Sequence, residues 1–214
     1  MALADWSFWG GFTLFAFAAS VTPGPNNAMM MASGANFGIV RTAPHMAGVV
    51  LGFTILIFAV GLGLGALFAA WPILQGALYW LGSAYLLYLA WRIATSRSIG
   101  GAEVGRPMTF GQAIAFQWVN PKAWTGAIGA VASYAPAHAY LTNLFVICAI
   151  FMAVNIPVTM LWTAGGVGLK RLLRRPAALR AFNIAMGVLL ALSIPPIAGA
   201  EMRMIELVFH RANT

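Results

Sequence analysis

Acidic residues are nearly absent from this chain: four Asp and Glu stand against twelve Lys and Arg in 214 residues, and charged side chains make up only 7% of the total. A soluble domain of this size cannot cover its surface with so few charges, so lipid, not water, is the expected solvent. There is one cysteine, Cys148, inside an apolar run. A single thiol forms neither an internal disulfide nor a thiolate metal cluster, and it reads as a small packing residue. The three histidines, His45, His138 and His210, are scattered and have no acid or cysteine beside them, so no metal site is expected. No cofactor is expected either. The acids Asp5, Glu103, Glu201 and Glu206 fall before the first apolar run, in a basic loop or in the C-terminal tail. An intramembrane enzyme would need a base, paired acids or metal ligands beside Ser20, Ser33, Ser83 or Ser133, and none is placed at that depth.

What the chain has in quantity is apolar residue, 61% of the total. At about 20 residues per spanning helix, six spans fit and leave room for little else. They are drawn at about 6–33, 44–69, 72–92, 111–134, 141–164 and 180–199. The fold class is therefore all-α, a polytopic membrane protein forming one transmembrane domain over 1–214. The segment Met1 to Phe8 lacks the basic start of a cleaved signal, so the first helix is expected to stay.

The net charge of +8 does not point to nucleic acid, because the basic residues lie at helix ends and in loops. Arg41, Arg92, Arg97, Arg106, Lys170, Arg171, Arg174, Arg175 and Arg180 share the face of the first, third and fifth loops, while Arg203 and Arg211 fall on the other. Basic loops stay in the cytoplasm, so both termini are expected outside it. The 170–180 segment is also placed to touch anionic membrane lipid.

Two spans contain their own helix breakers. Thr22-Pro23-Gly24-Pro25-Asn26-Asn27 interrupts the first and Asn120-Pro121-Lys122 the fourth. Proline removes a backbone donor and glycine lowers helix propensity, so the hydrogen-bond ladder must open at both places. Open backbone at membrane depth is tolerated only inside protein or beside a water-filled cavity. The halves 6–93 and 111–199 each hold three spans beginning with an interrupted helix, and an odd number of spans turns the second half upside down. This is the inverted-repeat plan of secondary carriers, which bind substrate at the repeat interface.

The candidate binding residues follow: Thr22, Pro23, Gly24, Pro25, Asn26, Asn27, Asn120, Pro121 and Lys122. A half-helix starting near Asn26 offers free amides to a carboxylate, and the carbonyls released from Ser20 to Thr22 are available to an ammonium. Lys122 is the one charged side chain well inside an apolar span, at a cost of at least about 2.5–3.5 kcal/mol, so it should attract the substrate carboxylate, exchange a proton or snorkel to the interface. His45 is a candidate for coupling or gating, although a lone histidine at a helix start more often caps a solvated end. Asn155 and Pro157 are expected to interrupt the fifth span as a hinge or a packing kink. Gly48/Gly52 and Gly61/Gly65 form small-xxx-small pairs for close helix packing, within a subunit or across a homodimer.

Taken together, TPGPNN at 22–27, the following Gly38, Arg41, Gly48 and Gly52, the segment Leu81-Gly82-Ser83-Ala84-Tyr85-Leu86-Leu87-Tyr88-Leu89-Ala90-Trp91, and Asn120-Pro121-Lys122 resemble the lysine-exporter family of amino-acid efflux carriers (LysE/RhtB), particularly its homoserine/threonine and neutral amino-acid branch. The four elements occur in order along nearly the whole chain, which makes the match specific. The resemblance implies export of an amino acid or close derivative across a bacterial inner membrane, driven by an ion gradient, with protons the expected coupling ion. The absence of an intramembrane acid favours a neutral substrate over a cationic one. Inorganic cation efflux is the alternative.

Overall fold

The computed structural model describes residues 6–64, 70–95, 97, 106–135, 139–170 and 172–192. Among these, α1 (Trp6–Val21) is followed by α2 (Pro25–Ala59), which ends in a π-helical turn at Val60–Leu64. The chain continues through α3 (Pro72–Thr95), α4 (Phe110–Val119), α5 (Pro121–Tyr134) and α6 (Tyr140–Leu169), then a 3-10 turn at Leu172–Arg174 and α7 (Pro176–Leu192). The described residues contain no strand.

The helix starts obey local chemistry. Pro25 and Pro121 each take the first helical position, where a missing N–H costs nothing. Thr109 and Gln112 close a capping box on α4: the Gln112 amide N–H donates to Thr109 Oγ1 at 3.3 Å and the Thr109 N–H to Gln112 Oε1 at 2.9 Å. Inside α2, Gly38 has φ 78° and ψ 174°, so the helix is two rods joined at a hinge. Thr42 spans that hinge, donating to Gly38 O at 2.8 Å and sharing a 2.9 Å hydrogen bond with Ser33 Oγ. The second rod thus begins just after Gly38, earlier than the expected start at residue 44. Pro157, by contrast, does not interrupt anything: α6 runs unbroken past it, and Pro157 is exposed on the outer face. The lost hydrogen bond is tolerated because the helix on both sides is held by its neighbours.

The α2 helix with its π turn (Pro25–Leu64) and α6 are each long and apolar enough to cross a bilayer, and α1 and α7 are shorter apolar helices. The surface is that of a protein in lipid. Large apolar side chains such as Val40, Ile73, Leu14 and Leu161 point outward, while Asn27, Gln117, Asn120, Asn143 and Asn183 are buried. Trp80, Tyr85, Tyr88 and Trp91 line the exposed side of α3, whereas Trp9 belongs to the core.

The two larger of three apolar clusters among the described residues hold the bundle. One joins α1, the second rod of α2, α5 and α6 through Phe12, Phe53, Leu56, Ala127, Leu144 and Phe151. The other joins α3, α4 and α7 to the start of α2 through Leu86, Phe116, Met186 and Ala28. Helices α2 and α6 share the most extensive interface, and glycine sets its spacing. A Cβ on Gly34 would lie 2.0 Å from Thr163 O, and one on Gly166 1.9 Å from Met31 O. The Gly48/Gly52 pair packs within the subunit: their Cβ positions lie 2.4 Å from Phe110 O and 2.7 Å from Ile114 Cα of α4.

Candidate functional site

The two helix breaks meet. Between α1 and α2 the chain is non-helical from Thr22 to Gly24, and between α4 and α5 the break is a single residue, Asn120, at φ −92° and ψ 105°. Asn120 serves both helices: its N–H donates to Gln117 O at 3.4 Å, and its side-chain Oδ1 accepts from the Lys122 N–H at 3.2 Å. Asn27 closes the other break from within, its Nδ2 donating to Ser20 O at 2.7 Å and to Thr22 O at 2.9 Å. Asn27 and Asn120 are both buried, which suits amides that cap helix ends away from water.

Side chains then bridge the two breaks. Asn26 Nδ2 donates to Gln117 Oε1 at 2.8 Å, and Gln117 Nε2 returns a 3.1 Å hydrogen bond to Asn26 Oδ1. Gln117 Nε2 also donates to Ala113 O at 3.0 Å, which fixes the amide on its own helix. Lys122 crosses in the opposite direction. Its Nζ donates to Thr22 O and, at 3.3 Å, to Pro23 O. Lys122 satisfies carbonyls that the proline break released. Its ammonium thus occupies carbonyls of the kind that the sequence left open to an incoming ammonium. Gly24 makes the crossing possible: a Cβ there would lie 2.7 Å from Lys122 Cδ and 3.0 Å from Nζ.

The breaks open onto a cavity of about 280 Å³. Its polar wall carries Ser20, Thr22, Gly24, Asn26, Asn27, Asn120, Lys122, Thr125 and Asn155, and its apolar wall includes Phe15, Val49, Phe53 and Phe151. No side chain caps the N-terminus of α2 at Gly24, so the first amides of that helix and its positive dipole end are unclaimed by side chains where the cavity reaches Gly24, Asn26 and Asn27. The N-terminus of α5 is already capped by Asn120. Of the lining residues only Lys122 is ionisable.

The sequence-derived candidates divide accordingly. Thr22, Gly24, Asn26, Asn27, Asn120 and Lys122 line one cavity, while Pro23, Pro25 and Pro121 shape the breaks behind it. Asn155 joins them from α6, but as a cavity-lining amide, not as a helix interruption; Pro157 stays outside. His45 is corrected: it is not a solvated helix-end residue but 2% exposed, and neither ring nitrogen has a hydrogen-bond partner. The Gly38 hinge places it a full turn and more inside the second rod, on the face of α2 that carries Val49. The acids Asp5, Glu103, Glu201 and Glu206, together with Gly65, His138, His210, Arg171, Arg203 and Arg211, lie outside the described residues. Gln117, the Ser20 hydroxyl, Thr125 and the three phenylalanines were not anticipated as parts of the site. Gln117 stands in the last turn of α4, just before the second break, and its amide in an apolar run was the available signal.

A bundle with an apolar outer surface, buried amides and a polar cavity at two broken helices has the architecture of an integral membrane transport protein. The chain belongs to the LysE type translocator family, whose model matches residues 17–193. It is 28% identical over 181 residues to the cysteine/O-acetylserine efflux protein of Escherichia coli (strain K12), an alignment covering 84% of this chain and 91% of that protein. The cysteine/O-acetylserine efflux protein of Shigella sonnei (strain Ss046) matches at the same 28% identity, over 84% of this chain and 91% of its own length. No solved structure matches the chain.

Proposed function

We propose that the protein exports a neutral amino acid or close derivative from the cytoplasm across the bacterial inner membrane, by alternating access and in exchange for protons. The observation that carries this reading is the cavity between the two breaks, where an uncapped helix N-terminus faces neutral amides, hydroxyls and one lysine. A zwitterion needs both its charges solvated by protein once it leaves water. The α2 N-terminus suits the carboxylate through backbone N–H groups and the helix dipole. The Thr22 and Pro23 carbonyls at the cavity edge suit the amino end, the oxygens of Ser20, Thr125 and Asn155 add neutral polar partners, and the aromatic wall of Phe15, Phe53 and Phe151 suits an uncharged side chain. A cavity of about 280 Å³ lies near the lower end of small-molecule pockets, roughly 300–1,000 Å³, which fits a solute of few non-hydrogen atoms. Family membership and the efflux activity in the names of the relatives point the same way.

In this reading the six spans are α1 with the first rod of α2, the second rod with its π turn, α3, α4 with α5, α6, and α7. The two interrupted spans head inverted three-helix repeats that rock against each other around the cavity. The basic loops lie in the cytoplasm and both termini outside. Inorganic cation efflux fits less well, because the lone ionisable lining group is a lysine that repels metal ions.

The test is efflux from proteoliposomes preloaded with a panel of neutral, cationic and anionic amino acids, with and without an imposed proton gradient. Efflux of neutral amino acids that the gradient accelerates is the expected result. Preference for lysine or arginine overturns the substrate class, and efflux indifferent to the gradient overturns the antiport.

A further inference from the structure

The Lys122 ammonium already rests where an amino acid's ammonium would be recognised. Its Nζ donates to Thr22 O and Pro23 O, two carbonyls that the proline break freed from the α1 ladder, at the edge of the same cavity that reaches the uncapped start of α2. A lysine head and an α-amino group are the same chemical object, a compact primary ammonium with three N–H donors. Thr22 O accepts from Asn27 Nδ2 as well, so this cradle has room for one ammonium and not for two.

Electrostatics gives the same limit. Among the described residues no carboxylate is present to balance a second positive charge. The other titratable groups on the helices packed around α5 are Arg41 and His45 on α2, Tyr79, Tyr85, Tyr88 and Arg92 on α3, and Tyr140 and Cys148 on α6, with Lys170 just past its end. α1 and α4 carry none, α5 itself adds only Tyr134, and none of these groups whose side chain is described lines the cavity.

We propose that Lys122 is a tethered stand-in for the substrate: its ammonium fills the Thr22–Pro23 cradle in the empty carrier and gives up one proton when the ammonium of an amino acid takes its place. The inference rests on the export reading above and deepens it. The balance is one for one. Lys122 Nζ–H⁺ loses a proton to water as the substrate enters from the cytoplasm, leaving a neutral amine beside a bound zwitterion. Release outside leaves the cradle empty, a proton from that side restores the ammonium, and the site has exchanged one proton for one amino acid. This supplies a coupling group in a cavity that has no acid among the described residues.

The experiment is calorimetric titration of the purified full chain with L-cysteine, kept reduced, and with O-acetyl-L-serine between pH 6 and 7, in two buffers of different ionisation enthalpy. Wild type should release close to one proton per amino acid bound, and its affinity should rise about tenfold per pH unit, the slope of a one-proton linkage. Lys122→Met, whatever its affinity, should bind with no proton release. Lys122→Arg keeps a permanent cation on the carbonyls, so it should bind at least tenfold more weakly and without a pH slope. Binding by wild type without proton release, or proton release that survives in either variant, overturns the proposal. A wild type that binds and transports none of the amino acid panel overturns the export reading instead, so the two failures are distinguishable.

Discussion

Asn26 and Gln117, 91 residues apart, hold each other through two reciprocal amide hydrogen bonds of 2.8 and 3.1 Å, and they are the direct polar tie between the first residues of α2 and the last turn of α4. In a low-dielectric interior such a pair is strong when complete and costly when halved. Gln117→Ala leaves the Asn26 amide unpaired, and the expected loss is about 1–3 kcal/mol of stability. Thermal unfolding in detergent should show it. In a double-mutant cycle with Asn26→Ala the two effects should be clearly non-additive; strictly additive losses would mean that the pair contributes nothing of its own.

How far the sequence foretold this site depends on the range of the interaction. The breaks at Pro23-Gly24-Pro25 and Asn120-Pro121 were legible because proline and glycine act on the backbone where they stand. The Asn26–Gln117 pair was not, because no local rule says which amide of one break meets which of the other. His45 was misjudged for a related reason. Its depth depends on Gly38, whose positive φ starts a new rod in which Thr42, His45 and Val49 are buried while Val40, Arg41 and Pro44 are exposed. Lys122 was recognised as out of place, but its partner is a carbonyl exactly one hundred residues away in the chain, and only the folded bundle brings the two together.

Gly24 is the second test. Its φ of −179° is extended backbone open to any residue, so an effect of Gly24→Ala cannot come from the dihedral. It must come from the Cβ, which would stand 2.7 Å from Lys122 Cδ. The expectation is a transport rate lowered about tenfold or more with the protein still folded, since the lysine end can swing away where a backbone atom could not. Counterflow measurements on equal amounts of reconstituted protein check this. An unchanged rate would show that the position of Lys122 is not critical.

The α2–α6 interface offers a contrast between two glycines on one helix. A Cβ on Gly166 would meet Met31 O at 1.9 Å, backbone against backbone, whereas Gly168 has open space around it. Gly166→Ala should cost at least the 1–3 kcal/mol of ordinary overpacking, lowering the yield of folded protein, and Gly168→Ala should be neutral or slightly stabilising, since alanine is the better helix former. Size-exclusion profiles of the two variants, purified side by side, decide. Similar behaviour would mean that the helices do not approach as closely as described.

Asn155 separates binding from folding. It sits on α6, lines the cavity and is only 9% exposed, yet no hydrogen bond ties its amide to the rest of the described protein. Ser20 is its counterpart on α1, with a buried Oγ that likewise has no partner. Buried polar groups are ordinarily satisfied, so two that face one cavity are understood as groups waiting for a solute. A hydrogen bond to substrate contributes about 0.5–1.5 kcal/mol, which is up to roughly tenfold in affinity. Asn155→Ala and Ser20→Ala should therefore each weaken amino-acid binding up to about tenfold while leaving the unfolding temperature unchanged or raised, because each removes an unsatisfied buried group. Removing an amide that instead supports the fold would lower the unfolding temperature and leave affinity where it was, and that result would take Asn155 out of the binding site.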